Sequence, residues 1–402
     1  MGRVPTTRAR RRRAVRWLAA PLAAATTLAV LTAPVGATPR APTSRRVDLA
    51  RPTFSQPADI TNPLFPIGHL ASVLQLGTDA DGSLRQEVTL LPQTEEITWD
   101  GQRVETRVSQ FVAYSDGRLL EVAVDHFAQA DDGSVWYFGE DVANYEDGVV
   151  ANHDGTWRAG RNGPPGMIMP ASPRVGDVYR PENIPGLVFE EVVVKAVEQT
   201  VDGPRGPVTG AVLVEEHPMD GAIENKVFAP GYGEFKADVP SEDEHVTVAV
   251  ASPTDVVAGG VPRPLRRLSR GARSVFAAAP EERWNRLSEA AARLGAAWDR
   301  SATGPVPLLL AAEVDDALSA LTAAVADRDP AAVRQAALDV SQASLDLQLR
   351  HRPPESVDRG RTGVWFRQLL VDGAANDLPS VKGDVAVLGA LAARPGASER
   401  PT

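Results

Sequence analysis

The chain has 402 residues, of which 42 are Lys or Arg and 52 are Asp or Glu, and it has no cysteine. The lack of cysteine excludes a disulfide framework, a thiolate metal site and a cysteine nucleophile. Residues 54–250 contain 33 acidic and 12 basic residues, whereas residues 251–402 contain 18 acidic and 19 basic residues. This break predicts two units with different surfaces, and the acidic excess argues against a nucleic-acid partner for the first.

Residues 1–37 have the layout of a secretory signal peptide: an arginine-rich head, an apolar run over residues 17–31 and small residues at 33–37. Cleavage would remove seven arginines, change the net charge from −10 to −17 and leave residues 38–53 as a linker. We therefore expect a secreted protein with no membrane span. The alternative is an uncleaved anchor, but Pro21 and Pro34 interrupt a run that is shorter than the ~20 residues a span needs.

Residues 54–251 are predicted to form an antiparallel β meander. Polar and apolar residues alternate over 103–112 and 120–125, and further strands are expected over 188–194, 208–214, 227–235 and 245–250. Long sheets curl to hide their edges, so we expect a curved sheet or an open barrel. The Asp-Gly pairs that favour tight hairpin turns begin at Asp81, Asp100, Asp116, Asp132, Asp147, Asp154, Asp202 and Asp220.

Residues 159–187 interrupt this pattern because glycine and proline are frequent there. Proline cannot donate a hydrogen bond to a ladder, so the segment is predicted to be a long loop. Such a loop is either a functional flap or a cover for a sheet edge.

Residues 252–273 are predicted to be a basic Pro/Gly linker. Its positive charge comes from Arg263, Arg266, Arg267, Arg270 and Arg273. Two interpretations stay open: the segment docks on anionic lipid or a cell-surface polymer, or it is a tether that leans on the acidic first domain.

Residues 274–395 are predicted to form an up-and-down helical bundle. Apolar residues recur every three or four positions over 284–298, 310–325 and 333–347, and one or two helices are expected over 364–372 and 381–393. Asp329-Pro330 is typical of a helix N-cap followed by the first helical residue. Residues 396–402 are predicted to be a disordered tail. The expected fold class is therefore α+β, with an antiparallel β domain before a helical bundle.

The usual catalytic motifs are missing. The chain has no His-Glu-x-x-His, no Gly-x-Ser-x-Gly and no glycine-rich phosphate loop between a strand and a helix. Paired carboxylates can still perform acid–base chemistry, for example Glu140 with Asp125 or Asp141. A carboxylate-based hydrolase is therefore one candidate function.

Two metal sites are weighed. Methionine and histidine in an exported protein suit copper(I), which points to Met167, Met169, His217 and Met219; the alternative is that methionine fills gaps in an irregular core. Residues 79–87 resemble a short calcium loop, although their aspartates already explain a hairpin turn. No other cofactor is expected.

Aromatic residues suggest a ligand pocket. Phe111, Trp136, Phe138 and Trp157 are predicted to line an apolar cavity in a half-open barrel, and the alternative is a plain core. A binding module for an apolar small molecule or a cell-envelope component is the favoured function. The remaining alternative is a structural or partner-binding envelope protein without a small ligand.

The run from Asp125 to Glu140, DHFAQADDGSVWYFGE, resembles the block DxxAQxxDGxVWYFGE of a family of exported actinobacterial proteins. Residues 62–66 (NPLFP), 155–160 (GTWRAG) and 169–179 (MPASPRVGDVY) fit the same family, so the likeness covers residues 54–240. The resemblance implies export and a β-rich domain, and it supplies no mechanism. The family usually has a tyrosine or tryptophan near His126, so no role is carried over to His126.

Overall fold

The computed structural model of the protein describes residues 44–301 and 306–395. The predicted signal peptide (residues 1–37) and tail (396–402) lie outside these residues. The described strands form one 15-stranded sheet. They are β1 (Arg45–Arg46), β2 (Ser72–Thr78), β3 (Ser83–Trp99), β4 (Gln102–Ser115), β5 (Arg118–Gln129), β6 (Val135–Glu146), β7 (Val149–Asn152), β8 (Trp157–Arg158), β9 (Gly166–Met169), β10 (Asp177–Ile184), β11 (Val188–Gly203), β12 (Gly206–Pro218), β13 (Glu224–Ala229), β14 (Gly233–Val239) and β15 (Glu244–Ser252).

The sheet is antiparallel except where β1 runs parallel to β10. Its order is β1-β10-β11-β12-β13-β14-β15-β2-β3-β4-β5-β6-β7, with β8 and β9 also paired to β6. The sheet curls back on itself without closing, so that β10 approaches β6 and β9. The predicted fold class, an antiparallel β region before a helical region, is confirmed.

Asp-Gly pairs make the turns of the first hairpins. Asp100 and Gly101 have φ of 49° and 76°, and Asp116 and Gly117 have φ of 45° and 71°. Both residues of each pair therefore adopt the left-handed conformation that a tight two-residue hairpin turn requires. The 202–203 pair is different, because it still belongs to β11 and the turn follows it.

Two β predictions need correction. The segment 159–187, predicted to be a long loop, contains β9 and β10, and Pro181 sits at an irregularity in the β10–β11 ladder. Proline is tolerated there because a bulge leaves a residue without a ladder bond. The single strand expected over 227–235 is two strands, β13 and β14, joined by a turn at Gly231.

Six helices follow in the described part of the chain: α1 (Arg263–Ala278), α2 (Trp284–Ser301), α3 (Leu308–Asp327), α4 (Pro330–Gln348), α5 (Pro354–Ala374) and α6 (Leu378–Ala392). The predicted N-cap is present, since the Asp329 side chain accepts hydrogen bonds from the backbone N–H groups of Ala331 and Ala332. Helix α1 occupies the second half of the segment predicted to be a linker. Leu265, Leu268 and Ala272 recur there at helical spacing and are buried.

Helix α4 is the centre of the helical region, with α1, α3 and α5 packed around it. The helices are not a separate module, because Leu74, Leu76 and Val250 of the sheet share a buried cluster with them. Helix α6 packs on β5 and β7. None of the described helices combines the length and the apolar character that crossing a membrane requires.

Buried ion pairs also join the sheet to the helices. We call this set the interface ion network; its members are Arg85, Glu87, Asp346, Asp358, Arg361 and Arg394. On β3, Arg85 reaches Asp346 of α4 at 2.7 Å, and Glu87 accepts from Arg394 at 2.7 Å. The carboxylate of Asp346 also accepts from Arg361 at 2.7 Å. Each charge therefore faces an opposite charge, as buried charges require.

Candidate functional site

The candidate site lies on the face of the sheet that points away from the helices. Cross-strand neighbours share a face, and the pairs Val192–Glu216 and Val214–Lys226 place a glutamate and a lysine beside core valines of β11 and β12. On β4 and β5, the pairs Ser109–Asp125 and Phe111–Ala123 belong to the same inner side. The helices pack on the other side, where Val112 and Tyr114 meet Val387 and Leu391.

Three carboxyl groups meet where β5, β6, β8 and β10 come together. Asp125 lies opposite Glu140 on the neighbouring strand. The Tyr137 hydroxyl donates to Asp125 Oδ1 at 2.7 Å, and Trp157 Nε1 donates to Glu182 Oε1 at 3.0 Å. The carboxyl groups of Glu140 and Glu182 also interact with each other, and a hydrogen bond between them requires that one of the two carries a proton.

A second group of carboxyls follows on β11, β12 and β13. Oxygen atoms of Glu190, Glu216 and Glu224 lie within 4.8 Å of one another. The ammonium group of Lys226 lies 2.7 Å from Glu216, 3.4 Å from Glu224 and 3.5 Å from Glu234. The charges of Lys226 and Glu216 also shift the pKa of Glu182, so the first and second groups of carboxyls are continuous.

We call the whole set the inner acidic row. Its members are Glu121, Asp125, Glu140, Glu182, Glu190, Glu216 and Glu224. Their pKa values are all raised, first by burial and then, for most of them, by neighbouring carboxylates. The pKa of Glu121 and that of Glu224 each rise to about 7. At Glu216, the charge of Lys226 lowers the pKa, but burial and the charge of Glu190 each raise it by more.

Solvent still reaches most of this row. Glu121, Glu140, Glu182, Glu190 and Glu224 are only half-buried, although enough protein surrounds them to raise their pKa values. These five side chains therefore lie at the boundary between the core and solvent, where a small molecule can contact them.

Lys226 takes the position that a divalent cation would take among the three glutamates. Burial alone would lower the pKa of Lys226, but the charges of Glu216, Glu224 and Glu234 outweigh it and hold the pKa well above its usual value. The ammonium group therefore stays charged and satisfies the carboxylates. This arrangement favours an internal ion pair over a resident metal at these three residues.

The structure places the two predicted acid pairs differently. Glu140 and Asp125 are cross-strand neighbours on the inner side, whereas Asp141 forms an ion pair with Arg158. His126 is buried on the opposite side of β5 from Asp125, and burial and then the charge of Arg158 lower its pKa to about 3. It is therefore neutral at ordinary pH.

Of the residues predicted to line an apolar pocket, three are core residues: Trp136, Phe138 and Trp157 are 5%, 0% and 1% exposed. The ring of Phe138 packs edge-on against Phe54, and that of Trp157 packs edge-on against Tyr137. Phe111 is half-buried and lies opposite Ala123, between Glu121 and Asp125. It is the one predicted pocket residue with accessible surface beside the inner acidic row.

The residues predicted for copper(I) have unlike surroundings. Met167 and Met169 of β9 are buried in the aromatic core, while Met219 is 56% exposed. His217 Nε2 lies 3.1 Å from Glu215. The methionines of β9 thus fill the core, and the copper site stays a prediction.

In the segment considered for calcium, residues 79–87, Asp79 Oδ1 accepts hydrogen bonds from the backbone N–H groups of Asp81 and Gly82, which is the role of a turn residue.

Sequence analysis missed most of the inner acidic row. The run VFEEVVVK at the start of β11 contained a signal, because Glu190 has the same parity as the buried Val192 and Val194. A carboxylate at an inward position of a strand is unusual and needs a partner or a function. The meeting of Glu182 with Glu140 depends on the curl of the sheet, and no local pattern encodes it.

Two depressions occur elsewhere on the described surface. One of about 530 Å³ is lined by residues 55–59 with Thr94, Glu105 and Arg107, and one of about 210 Å³ lies between the sheet and α5. Neither includes a member of the inner acidic row. Comparison of the chain with protein families, with curated proteins and with solved structures found no match.

Proposed function

We propose that the protein is a binding protein that holds a small organic cation against the inner acidic row. The observation that carries this proposal is the continuous set of carboxyl groups with raised pKa values and partial solvent access. Carboxyl groups held together in this way repel one another when ionised, and a bound cation offsets that repulsion.

An organic cation is more specific than the apolar or cell-envelope ligand that the sequence predicts. Lys226 forms its ion pairs with Glu216, Glu224 and Glu234. Glu121, Asp125 and Glu140 have no cation within ion-pair distance among the described residues. Phe111 offers an apolar surface beside these three. An amine with a short apolar body fits both features. An extracellular location, with a ligand drawn from the cell envelope or the medium, is part of the same proposal.

The experiment is calorimetric titration of the purified protein with spermidine and with choline at pH 5, 6, 7 and 8. We expect binding that strengthens as the pH rises, because a carboxyl group must lose its proton before it pairs with a cation. Binding should also release protons, which titrations in buffers of different ionisation enthalpy will detect.

The variant Glu140→Gln/Glu182→Gln should weaken binding at least tenfold. Its matched control is Glu95→Gln/Glu96→Gln, which removes the same two charges from exposed positions on β3 and should change affinity less than twofold. If neither cation binds, or if both double variants weaken binding equally, the proposal fails.

A second candidate, an acid–base hydrolase, is supported by the hydrogen bond between Glu140 and Glu182. A carboxyl group that keeps its proton at neutral pH is a suitable general acid, and its ionised neighbour is a suitable base. If this candidate is right, Glu140→Gln will abolish turnover of nitrophenyl glycosides or esters and leave the binding of the intact substrate unchanged. A wild-type protein that releases no nitrophenol above the buffer rate would exclude it for these substrates.

A further inference from the structure

Helix α1 carries an unusual surface. Its sixteen residues include five arginines and no acid. Its apolar side chains, among them Leu265, Leu268 and Val275, are buried against the other helices. The arginines take the opposite side of the helix, where all of them are exposed: Arg263, Arg266, Arg267, Arg270 and Arg273.

Among the described residues, these arginines form no ion pair with a carboxylate. No carboxylate of residues 44–301 or 306–395 lies within 4.0 Å of any of them, and the hydrogen bonds of Arg266 and Arg270 go to backbone carbonyl groups. Arg361, by contrast, forms buried ion pairs with Asp346 and Asp358. The idea that this segment leans on the acidic β domain is therefore not supported.

Further arginines extend the positive surface toward α5. Helix α1 is tied to the end of α4 because Gln348 Nε2 donates to Ser269 Oγ at 2.8 Å, and Gln348 Oε1 in turn accepts from Arg352 at 2.9 Å. Burial and then Arg359 lower the pKa of Arg352, and burial and then Arg273 lower that of Arg367. Like charges are thus close together across α1 and α5. We call the set Arg263, Arg266, Arg267, Arg270, Arg273, Arg359 and Arg367 the arginine face.

We propose that the arginine face binds a linear polyanion that carries its charges on phosphate or sulfate groups. The α1 arginines recur about once per helical turn and extend over roughly 15 Å of helix axis, which matches a ligand with repeated charges. A guanidinium group pairs with such oxygens in a two-pronged geometry. The β domain carries a large acidic excess, so its field repels a polyanion, whereas the arginine face attracts one.

A lipid surface fits the same face less well. Helices that lie on a bilayer insert large apolar residues between their basic ones. The exposed side of α1 offers only arginine, proline, serine and alanine, because its larger apolar residues are buried. The chemistry of this side therefore favours a soluble or wall-attached polymer.

The probe is fluorescently labelled long-chain inorganic polyphosphate. The full-length protein is titrated into it, and fluorescence anisotropy is measured at several salt concentrations. We expect binding that weakens as salt is added, since association releases counterions. The triple variant Arg266→Gln/Arg270→Gln/Arg273→Gln should lower affinity at least tenfold and reduce the salt slope by about three, roughly one for each lost contact.

The matched control removes exposed Arg283, which directly precedes α2, and two exposed arginines of α2: Arg283→Gln/Arg286→Gln/Arg293→Gln. It changes the net charge equally and should alter affinity less than threefold. Circular dichroism and the melting temperature will check that both variants fold. The proposal fails if polyphosphate does not bind at low salt, or if both triple variants weaken binding equally. It also fails if phosphatidylglycerol vesicles bind and polyphosphate does not, or if the face instead mediates self-association that the α1 variant abolishes.

Discussion

Two glutamates on neighbouring parts of the sheet show how strongly the side of a strand decides the state of a residue. Glu87 of β3 faces the helices. Burial would raise its pKa, but Arg361, Arg85 and Arg394 outweigh burial and hold the pKa well below its usual value. Glu121 of β5 faces the inner side of the sheet, where burial and then Asp125 raise its pKa to about 7. The same side chain is thus a paired anion on one side and a near-neutral acid on the other.

Replacing each glutamate by glutamine should have opposite effects. At pH 8, Glu87→Gln should lower the free energy of unfolding by about 3–5 kcal/mol, because it leaves buried arginines without a counter-charge. Its control, Glu121→Gln, should leave that free energy unchanged or raise it, because it removes a carboxyl group whose ionisation is unfavourable in the folded state. Urea denaturation measures both. Equal stabilities of the two variants would contradict the described charge pairing.

The sign of the pH dependence follows from the same shift. Folded Glu121 keeps its proton up to about pH 7, whereas unfolded Glu121 releases it near 4.5. The unfolded state therefore binds fewer protons between these values, and this residue's contribution to stability, full below pH 4.5, is lost as the pH rises through 7. Between pH 5 and pH 8, the free energy of unfolding should therefore fall by about 1–3 kcal/mol more in the wild-type protein than in Glu121→Gln. An unaltered pH profile in the variant would show that Glu121 titrates normally.

At the scale of elements, two glycines with positive φ illustrate different constraints. Gly117 ends a hairpin turn, and a Cβ there would meet no atom within 4 Å. Gly139 of β6 has a φ of 116°, and a Cβ there would lie 2.2 Å from the carbonyl oxygen of Trp157 on β8. The first glycine is needed for its conformation alone, and the second also for the close approach of β8.

Substituting alanine at each glycine separates these constraints. Gly117→Ala should cost about 1–2 kcal/mol, the penalty of a left-handed alanine. Gly139→Ala should cost clearly more, because β8 must move, and it should disturb the hydrogen bond between Trp157 and Glu182. Urea denaturation gives the stability, and tryptophan fluorescence reports the displacement. A smaller loss for Gly139→Ala than for Gly117→Ala would contradict the β6–β8 contact.

Elements with strong local signals were predictable. Asp116-Gly117 specifies its turn from two residues, and the stripe over 333–347 specifies α4 from spacing alone. The first part of α1 falls in the predicted linker because the prolines, glycines and arginines of residues 252–273 hide the buried Leu265, Leu268 and Ala272. Strand β10 was missed because Pro181 lies within it. Local composition predicts the wrong structure for these two elements, because β10 is stabilised at a bulge and α1 is stabilised by packing on neighbouring helices.

At the scale of the whole molecule, the sheet and the helices depend on each other. They share the cluster that contains Leu74 and Val250, and Arg394 reaches β3 from beyond the end of α6. The sequence indicated two units from their charges, and it could not show this interface. The ion pairs join residues that are distant in the chain, such as Arg85 and Asp346, and no spacing rule connects them.

The shared interface predicts one cooperative unfolding transition. The ellipticity at 222 nm reports mainly the helices. Tryptophan fluorescence reports the sheet once the helical residues Trp284, Trp298 and Trp365 are replaced by phenylalanine. Both signals should have the same urea midpoint, because losing either part exposes the buried charges of the other. Two separated midpoints would contradict the interface. Coincident midpoints in wild type that separate in Glu87→Gln would support it further.

The pairing of distant segments also fixes the order in which the molecule can be completed. The first strand pairs with a segment 132 residues further along the chain, where Arg45 contacts Asp177. Glu87 pairs with Arg394, which lies 307 residues further along. A chain that emerges from its amino terminus can therefore make its early hairpins at once, whereas these two pairings form only after much more of the chain is available. Pairings over such separations slow folding. Until Arg394 is available, Glu87 lacks one of its partners, so the interface between the sheet and the helices is completed late.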